Sequence, residues 1–173
     1  MALSLYDVTV PSYLQILGGV SGFLDRGLTH CRDAGIDPGE MVETRLWGDM
    51  LPFSFQIRSV AHHSRGAIEA ARKGVFNPPG PAPAQTYADL QALIADAKSA
   101  LETVSAAEVD GFAGRDLIFQ AGDFKMPFTA EGFFLSFSLP NFYFHAATAY
   151  DILRSKGVPL GKRDFMGAPR LKS

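Results

Sequence analysis

A proline-rich segment near the middle of the chain sets the strongest limit on its fold. Four of the seven residues in Asn77-Pro-Pro-Gly-Pro-Ala-Pro83 are prolines. Proline lacks a backbone N–H and clashes with the preceding helical turn, so neither a helix nor a central strand can pass through this segment. The chain has 173 residues, of which 47% are hydrophobic, which is enough for one continuous core. We therefore predict a single domain over residues 1–173, built from separate elements before and after the break.

Two long helices are predicted before this break. Apolar residues recur at steps of three and four between Val10 and Ala34, which is helical periodicity, and Gly35 supplies a C-terminal stop. The second helix is predicted from about Asp49–Pro52 to Lys73, because proline is tolerated at a helix start. Glycines inside the first helix weaken it, and we expect close helix packing to explain Gly18, Gly19 and Gly22.

Two more helices and a hairpin are predicted after the break. Thr86, followed three residues later by Asp89, forms a capping pattern that opens a third helix. Short apolar runs on either side of Ala121-Gly-Asp123 predict a β-hairpin. Thr129 caps a fourth helix, and Lys156-Gly-Val-Pro159 ends it. The predicted fold is all-α, a four-helix bundle with a small β-hairpin between the third and fourth helices.

Composition argues against several classes of function. A formal net charge of -2, from 16 Lys and Arg against 18 Asp and Glu, provides no basic field to attract nucleic acid or an anionic membrane. The longest strongly apolar stretch, Phe133 to Leu139, is far shorter than the roughly 20 residues that span a bilayer. Cys31 is the only cysteine, so neither a disulfide within the chain nor a cysteine zinc cage can form. We expect a cytoplasmic protein that binds neither nucleic acid nor membrane.

The fourth predicted helix carries the most informative polar residues. Asn141 and His145 are four residues apart and so lie on one helical face, with Tyr143 between them in an aromatic run. Pro140 cannot donate to the carbonyl of Ser136, which favours a kink at this point. The two polar side chains either line a buried polar pocket or satisfy each other within the core, as buried polar groups usually do.

The second predicted helix supplies further candidates for the same pocket. Gln56 lies among apolar residues and can reach across to His145, and Asp49 is the only nearby carboxylate. Asp49 also suits an N-terminal cap, which is the interpretation we favour. His62 and His63 are adjacent and therefore point about 100° apart on a helix. At most one of these histidines can therefore lie inside the protein, and we favour a surface position for both.

Familiar catalytic signatures are missing from this sequence. The segment from Gly157 to Asp164 differs from a phosphate-binding loop in its glycine spacing, has Arg163 after Lys162, and follows a helix rather than a strand. We therefore interpret Lys162, Arg163 and Asp164 as a surface or interface cluster. Nothing in the sequence matches a nucleophile elbow, a CxxC pair or an HExxH motif.

Three C-terminal runs carry a family resemblance: Pro140–His145, Tyr150–Arg154 and Gly157–Gly167. Together they resemble the signature of an uncharacterised bacterial family within the DinB/YfiT-like superfamily. The likeness extends more loosely over nearly the whole chain, including Asp49–Pro52 and Gln56. It implies an up-down-down-up four-helix bundle that is often dimeric. Better-known members of this superfamily bind a divalent metal through three histidines, and some are thiol-dependent transferases.

The metal motif of those relatives is altered in this sequence. Two of their histidine ligands form a His-x-x-x-His pair on the last helix and the third comes from the second helix. Here His145 matches one ligand, Asn141 stands in place of its partner, and only Asp49 or Gln56 stands in for the third. An amide oxygen is a poor ligand for zinc or nickel compared with imidazole. We therefore interpret the metal site as degenerate, with His145 as its one candidate ligand.

Three hypotheses about function remain open at this point. The first is a small-molecule-binding or structural homodimer with a degenerate, metal-free site. The alternative is a hydrolase or thiol transferase that depends on a divalent metal, zinc or nickel, and uses His145. The third is a protein-interaction module that makes its contact through Gly157 to Gly167.

Overall fold

The first helix, α1, spans Leu5–Ala34 in a computed structural model that describes residues 3–172. Ser4 and Asp7 form a capping box at its start, so the helix begins earlier than the predicted Val10. Gly35 ends it with a φ of 66°, a left-handed conformation that glycine adopts without strain. The short helix α2, Pro38–Val42, follows, with Asp37 as its N-cap.

The second long helix is present but interrupted. It consists of α3, Phe53–His62, and α4, Arg65–Lys73. At Ser64 the backbone leaves helical geometry, and the Ser64 hydroxyl donates to the carbonyl of Val60 at 2.7 Å. The N-cap of α3 is Pro52, with no side-chain capping bond. The prediction that Asp49 caps this helix is therefore wrong, since Asp49 lies exposed in the turn that precedes it.

A small three-stranded sheet combines one strand from before the proline-rich segment with two strands from after it. The predicted hairpin is confirmed as β2, Asp116–Ala121, antiparallel to β3, Phe124–Thr129. Strand β1, Val75–Phe76, comes just before the prolines and pairs in parallel with β2, with Val75 opposite Ile118. This third strand was not predicted, because two residues are too few to show an alternating pattern.

The third helix, α5, spans Tyr87–Glu102 and is capped as predicted. Thr86 and Asp89 form a reciprocal capping box at its start. The short helix α6, Ala106–Asp110, then leads into the hairpin.

The fourth helical segment begins and ends where predicted but changes its winding in between. It consists of α7, Ala130–Phe133, a π-helical segment, Phe134–Ser138, and α8, Leu139–Ser155. The N–H of Leu139 donates to the carbonyl of Phe134, which is five residues back. The next residue, Pro140, has no N–H to continue the ladder, which accounts for a local rearrangement at this point.

The C-terminal segment folds back onto α1 through the short helix α9, Lys162–Met166. A Cβ added to Gly19 would clash with the carbonyl oxygens of Asp164 and Phe165. Asp164 also forms an ion pair with Arg26 of α1 at 2.6 Å. Close packing therefore explains Gly19, as predicted. It does not explain Gly18 or Gly22, where an added Cβ would meet no atom within 4 Å.

The long helices enclose one apolar core. Helix α1 packs against α5 and α8, and α3 packs against the same two helices. The largest fully buried side chains include Tyr13, Phe23, Phe53, Phe133 and Phe142. No helix within residues 3–172 combines the length and apolar character needed to cross a membrane.

Candidate functional site

A hydrogen bond joins the two polar residues that the sequence placed on different helices. His145 Nδ1 of α8 lies 2.8 Å from Gln56 Oε1 of α3. Gln56 is buried, with 3% of its surface exposed, and its Nε2 donates to the carbonyl of Leu51 at 2.9 Å. The amide is thus held so that its oxygen faces His145.

This bond determines which ring nitrogen of His145 carries the proton. An amide oxygen only accepts hydrogen bonds, so His145 Nδ1 must donate its N–H. In the neutral ring, Nε2 is then left as an acceptor with a free lone pair. Burial lowers the pKa of His145 to about 4, so the ring is neutral at pH 7.

A second histidine lies against this pair. The ring of His63, at the end of α3, stacks on the ring of His145 with centroids 5.9 Å apart and an angle of 18° between the planes. His63 is 7% exposed, and its Nδ1 is buried without a hydrogen-bond partner among residues 3–172. The expectation that His63 lies on the surface is therefore wrong, and His62 is only partly exposed.

Sequence spacing could have identified His63. It follows Gln56 by seven residues, which is two helical turns, so both side chains lie on one face of α3. Burial, together with the smaller effect of the positive charges that His62 and His145 can carry, lowers the pKa of His63 to about 3. His63 and His145 thus form a stacked, uncharged pair at neutral pH.

A buried hydrogen-bond chain fixes the backbone at this point. Ser138 Oγ, at the end of the π-helical segment, donates to the carbonyl of His63 at 2.6 Å. Tyr13 Oη of α1 lies 2.8 Å from Ser138 Oγ and must be the donor, since that serine proton is already used. Burial raises the pKa of Tyr13, so this hydroxyl keeps its proton. The chain connects α1, α3 and the π-helical segment behind the histidine pair.

The remaining predicted site residues make no hydrogen bond to the Gln56–His145 pair. Asn141 does not bond to His145, because its Nδ2 donates to the carbonyl of Phe137 one turn back at 2.8 Å. Tyr143 is two residues from His145, about 200° around α8, and its ring contacts Phe142. The structure gives Asp49 no hydrogen bond to either member of the pair.

Comparison with known proteins identifies the family. Residues 5–166 match the family model described as "Domain of unknown function (DUF1993)". The chain belongs to this family. Among solved structures, this DUF1993 chain is similar to one described as "Crystal structure of a dinb family member protein from Shewanella denitrificans at 1.83 A resolution". The two share 26% sequence identity with a TM-score of 0.83, over 98% of this chain and 95% of the other.

The DinB-like resemblance that the C-terminal runs predicted is therefore confirmed for this DUF1993 chain. None of the curated proteins matches it.

The residues of this DUF1993 chain do not fit the three-histidine metal site that the resemblance implies. Within residues 3–172 no group of three His, Cys, Asp or Glu side chains comes together in a way that could hold a metal ion. The stacked pair of His63 and His145 supplies two imidazoles at most, one fewer than the three-histidine site needs. Zinc needs its imidazole nitrogens about 2.0–2.1 Å away in tetrahedral directions. The oxygen of Gln56 is already engaged by His145.

Proposed function

We propose that this DUF1993 chain is a small-molecule-binding protein whose ligand donates a hydrogen bond to His145 Nε2. The observation that carries the proposal is the 2.8 Å bond from His145 Nδ1 to Gln56 Oε1. It holds one tautomer of a neutral ring, and the opposite nitrogen has no hydrogen-bond partner among the described residues. Such an oriented acceptor suits recognition of a hydroxyl or N–H group.

The low pKa of His145 favours a role in ligand binding over a role as a general base. A general base works best when its pKa is near the operating pH. The pKa of His145, lowered by burial to about 4, makes the ring a weak proton acceptor at pH 7. The rival proposal, a zinc- or nickel-dependent hydrolase or thiol transferase using His145, needs further ligands that the stacked pair does not provide.

Aromatic side chains around His145 indicate the rest of the ligand. The Phe55 ring lies 5.8 Å from the His145 ring, and the Phe144 ring lies 5.3 Å from it. Phe144 is 59% exposed, so its ring offers apolar surface beside the acceptor. We expect a ligand with an aromatic or otherwise apolar body and one hydroxyl or amide N–H.

Architecture and assembly are part of the same proposal. We propose that residues 1–173 form one domain whose four long helical segments follow the up-down-down-up course of the DinB-like bundle. The packing of α1 and α3 against both α5 and α8 supports this course. We also propose a homodimer, since α8 and the segment before it expose three large apolar side chains: Leu135, Tyr143 and Phe144.

The test uses phenol and benzyl alcohol as hydroxyl probes, and zinc or nickel chloride as metal probes, on protein purified without an affinity tag. We expect both alcohols to shift the His145 ring resonances and His145→Ala to abolish probe binding. The control variant His30→Ala replaces a partly buried histidine of α1 outside the site and is expected to bind as wild type does. Light scattering on the same preparation is expected to give twice the 18.7 kDa mass of the chain.

Elemental analysis decides between the two proposals. Stoichiometric zinc or nickel in the wild type that is lost in His145→Ala, with no response to either alcohol, would show that the binding proposal is wrong and the metal-dependent one right.

A further inference from the structure

A cleft of about 480 Å³ lies between the interrupted second helix and the proline-rich segment. Its volume is within the range of roughly 300–1,000 Å³ that is usual for ligand pockets. Residues of α3 and α4 line one wall, and β1 with the proline-rich segment lines the other. The lining residues include His62 but neither His63 nor His145, so the cleft is separate from the site around His145.

The segment that forms the outer wall of this cleft, residues 78–85, is held to the rest of the molecule by one hydrogen bond. It contains no helix or strand, and it makes no backbone–backbone hydrogen bond among residues 3–172. Its only hydrogen bond within the described part of the chain comes from Arg58 Nη2 of α3, which donates to the carbonyl of Gly80 at 2.7 Å. Arg58 is therefore the one polar tie on this segment.

Both ends of the segment are fixed, in contrast to its middle. Before it, the carbonyl of Asn77 accepts from His62 Nε2 at 2.8 Å, and Asn77 Nδ2 donates to the carbonyl of Gln120 in β2 at 2.8 Å. After it, Thr86 forms the capping box of α5 with Asp89. Four of its eight residues are prolines, which make a chain semi-rigid. Residues 78–85, which we call the lid, can thus move as a unit about two fixed ends.

Arg58 carries a positive charge that no carboxylate neutralises. It forms no ion pair among residues 3–172, and its one acceptor is the uncharged carbonyl of Gly80. Two further cations line the cleft against one carboxylate, which is itself paired with the first of them at 3.4 Å: Arg65, Lys73 and Glu69. The prolines of the lid have no N–H, so the donors available to a ligand come mainly from the helical wall.

We propose that Arg58 is the latch of this lid, and that an oxyanion entering the cleft opens the lid by taking the guanidinium from the carbonyl of Gly80. The oxyanion is a carboxylate or a phosphate group. Either can accept two parallel N–H bonds from one planar guanidinium, with charge on both partners, whereas the Gly80 carbonyl is neutral and takes one. Loss of that bond frees the only polar tie of residues 78–85.

The test measures the position of the lid by pulsed electron paramagnetic resonance. Spin labels are placed on Ala82→Cys in the lid and on Ala95→Cys, an exposed position of α5, in a chain whose one native cysteine is removed by Cys31→Ala. In sodium chloride we expect one label-to-label distance. Sodium phosphate or sodium acetate at the same ionic strength is expected to add a second, displaced population. A response to either salt supports the latch, and the stronger response shows which oxyanion the cleft prefers.

Two substitutions of Arg58 separate its hydrogen bond from its charge. Arg58→Met removes the donor and is expected to show the displaced population without any added oxyanion. Arg58→Gln keeps an amide donor for Gly80 but has no charge, so it is expected to stay closed and to ignore both salts. Arg163→Gln, which replaces an exposed arginine outside the cleft, is expected to respond as the wild-type latch does.

Three results would overturn the proposal. The first is an effect of phosphate and acetate no larger than that of chloride. The second is a folded Arg58→Met chain that keeps the distance seen with Arg58 present. The third, which needs no loss of the Gly80 contact, is an Arg58→Gln chain that responds to either salt as strongly as the chain with arginine does.

Discussion

Three histidines meet near the end of α3, and each has a different structural role. His62 holds the proline-rich segment, His63 lies stacked and buried, and His145 is oriented by Gln56. In all three, burial is the first cause that lowers the pKa. Their shared property is therefore that they stay uncharged at neutral pH, where they contribute hydrogen bonds and ring contacts rather than charge.

Acid should destabilise the protein through His63. Its pKa falls from 6.5 to about 3 in the folded state, so protonation favours the unfolded chain as pH falls below 6.5. Stability is complete above pH 6.5 and is lost progressively towards pH 3. By pH 5 the loss from this one residue is about 2 kcal/mol, at roughly 1.4 kcal/mol per pH unit.

Urea unfolding of wild type and His63→Phe at pH 7.5 and pH 5 checks this expectation. Phenylalanine preserves the aromatic contacts with Phe76 and Phe137 but cannot titrate. The variant is expected to lose about 2 kcal/mol less than wild type between the two pH values. Equal losses in the two proteins would show that His63 is not the group responsible.

The sequence identified Gln56 and His145 as members of this cluster, but it did not place His63 there. Gln56 and His145 stood out because each is a polar residue within an apolar helical run. The position of His63 next to His62 favours the surface, whereas its seven-residue spacing from Gln56 indicates the inner face of α3. The stacking with His145 depends on how α3 packs against α8, and the local sequence pattern carries no information about that packing.

At the scale of elements, the two interrupted helices meet at their interruptions. The second helix leaves helical geometry at Ser64, and the fourth passes through a π-helical segment that ends at Ser138. The 2.6 Å hydrogen bond from Ser138 Oγ to the carbonyl of His63 joins the two places. Each irregularity thus supplies a partner for the other, next to the stacked histidines.

Four helix ends could be predicted from the sequence, whereas the start of α1, the cap of α3 and the helix interruptions could not. The residues at these ends act on backbone groups within one helical turn, so neighbouring sequence is enough to predict their effect: Gly35, Thr86, Thr129 and Gly157. Pro140 predicts an irregularity in the fourth helix, but whether that irregularity is a kink or a π-helical segment depends on tertiary packing. Nothing near Ser64 marks a break as plainly, since serine is tolerated within helices.

Docking of α9 on α1 should depend on Gly19. In Gly19→Ala the new methyl group meets backbone oxygen, including that of Asp164 at 2.9 Å, so α9 must move away. The Arg26–Asp164 ion pair and the bond from Gln15 Nε2 to the Met166 carbonyl are then lost. We expect destabilisation by about 1–3 kcal/mol and faster tryptic cleavage at the end of the chain.

Gly18→Ala is the matched control, because an added Cβ at Gly18 meets no atom within 4 Å. In a helix interior this change is expected to stabilise the protein by up to about 1 kcal/mol. If both variants behave alike in urea unfolding and trypsin digestion, close packing at Gly19 does not hold α9 in place.

At the scale of the whole molecule, a DinB-like fold carries two distinct polar regions on either side of one helix end. The helical periodicity and the C-terminal runs were sufficient to predict a mostly helical DinB-like protein. A cleft lies under the proline-rich segment, and local sequence does not predict it, because prolines indicate only that a helix or strand is interrupted. The residues that line this cleft come from the proline-rich segment, β1, α3 and α4.

The orientation and charge of His145 are the basis of the proposed function, and one NMR experiment measures both. Nitrogen-15 ring spectra of wild type, recorded from pH 7 down to pH 3.5, are expected to show the proton on Nδ1 and a midpoint near pH 4. Gln56→Leu is expected to lose the preference for that tautomer. A proton on Nε2 at pH 7, or a midpoint near the ordinary value of 6.5, would contradict the account.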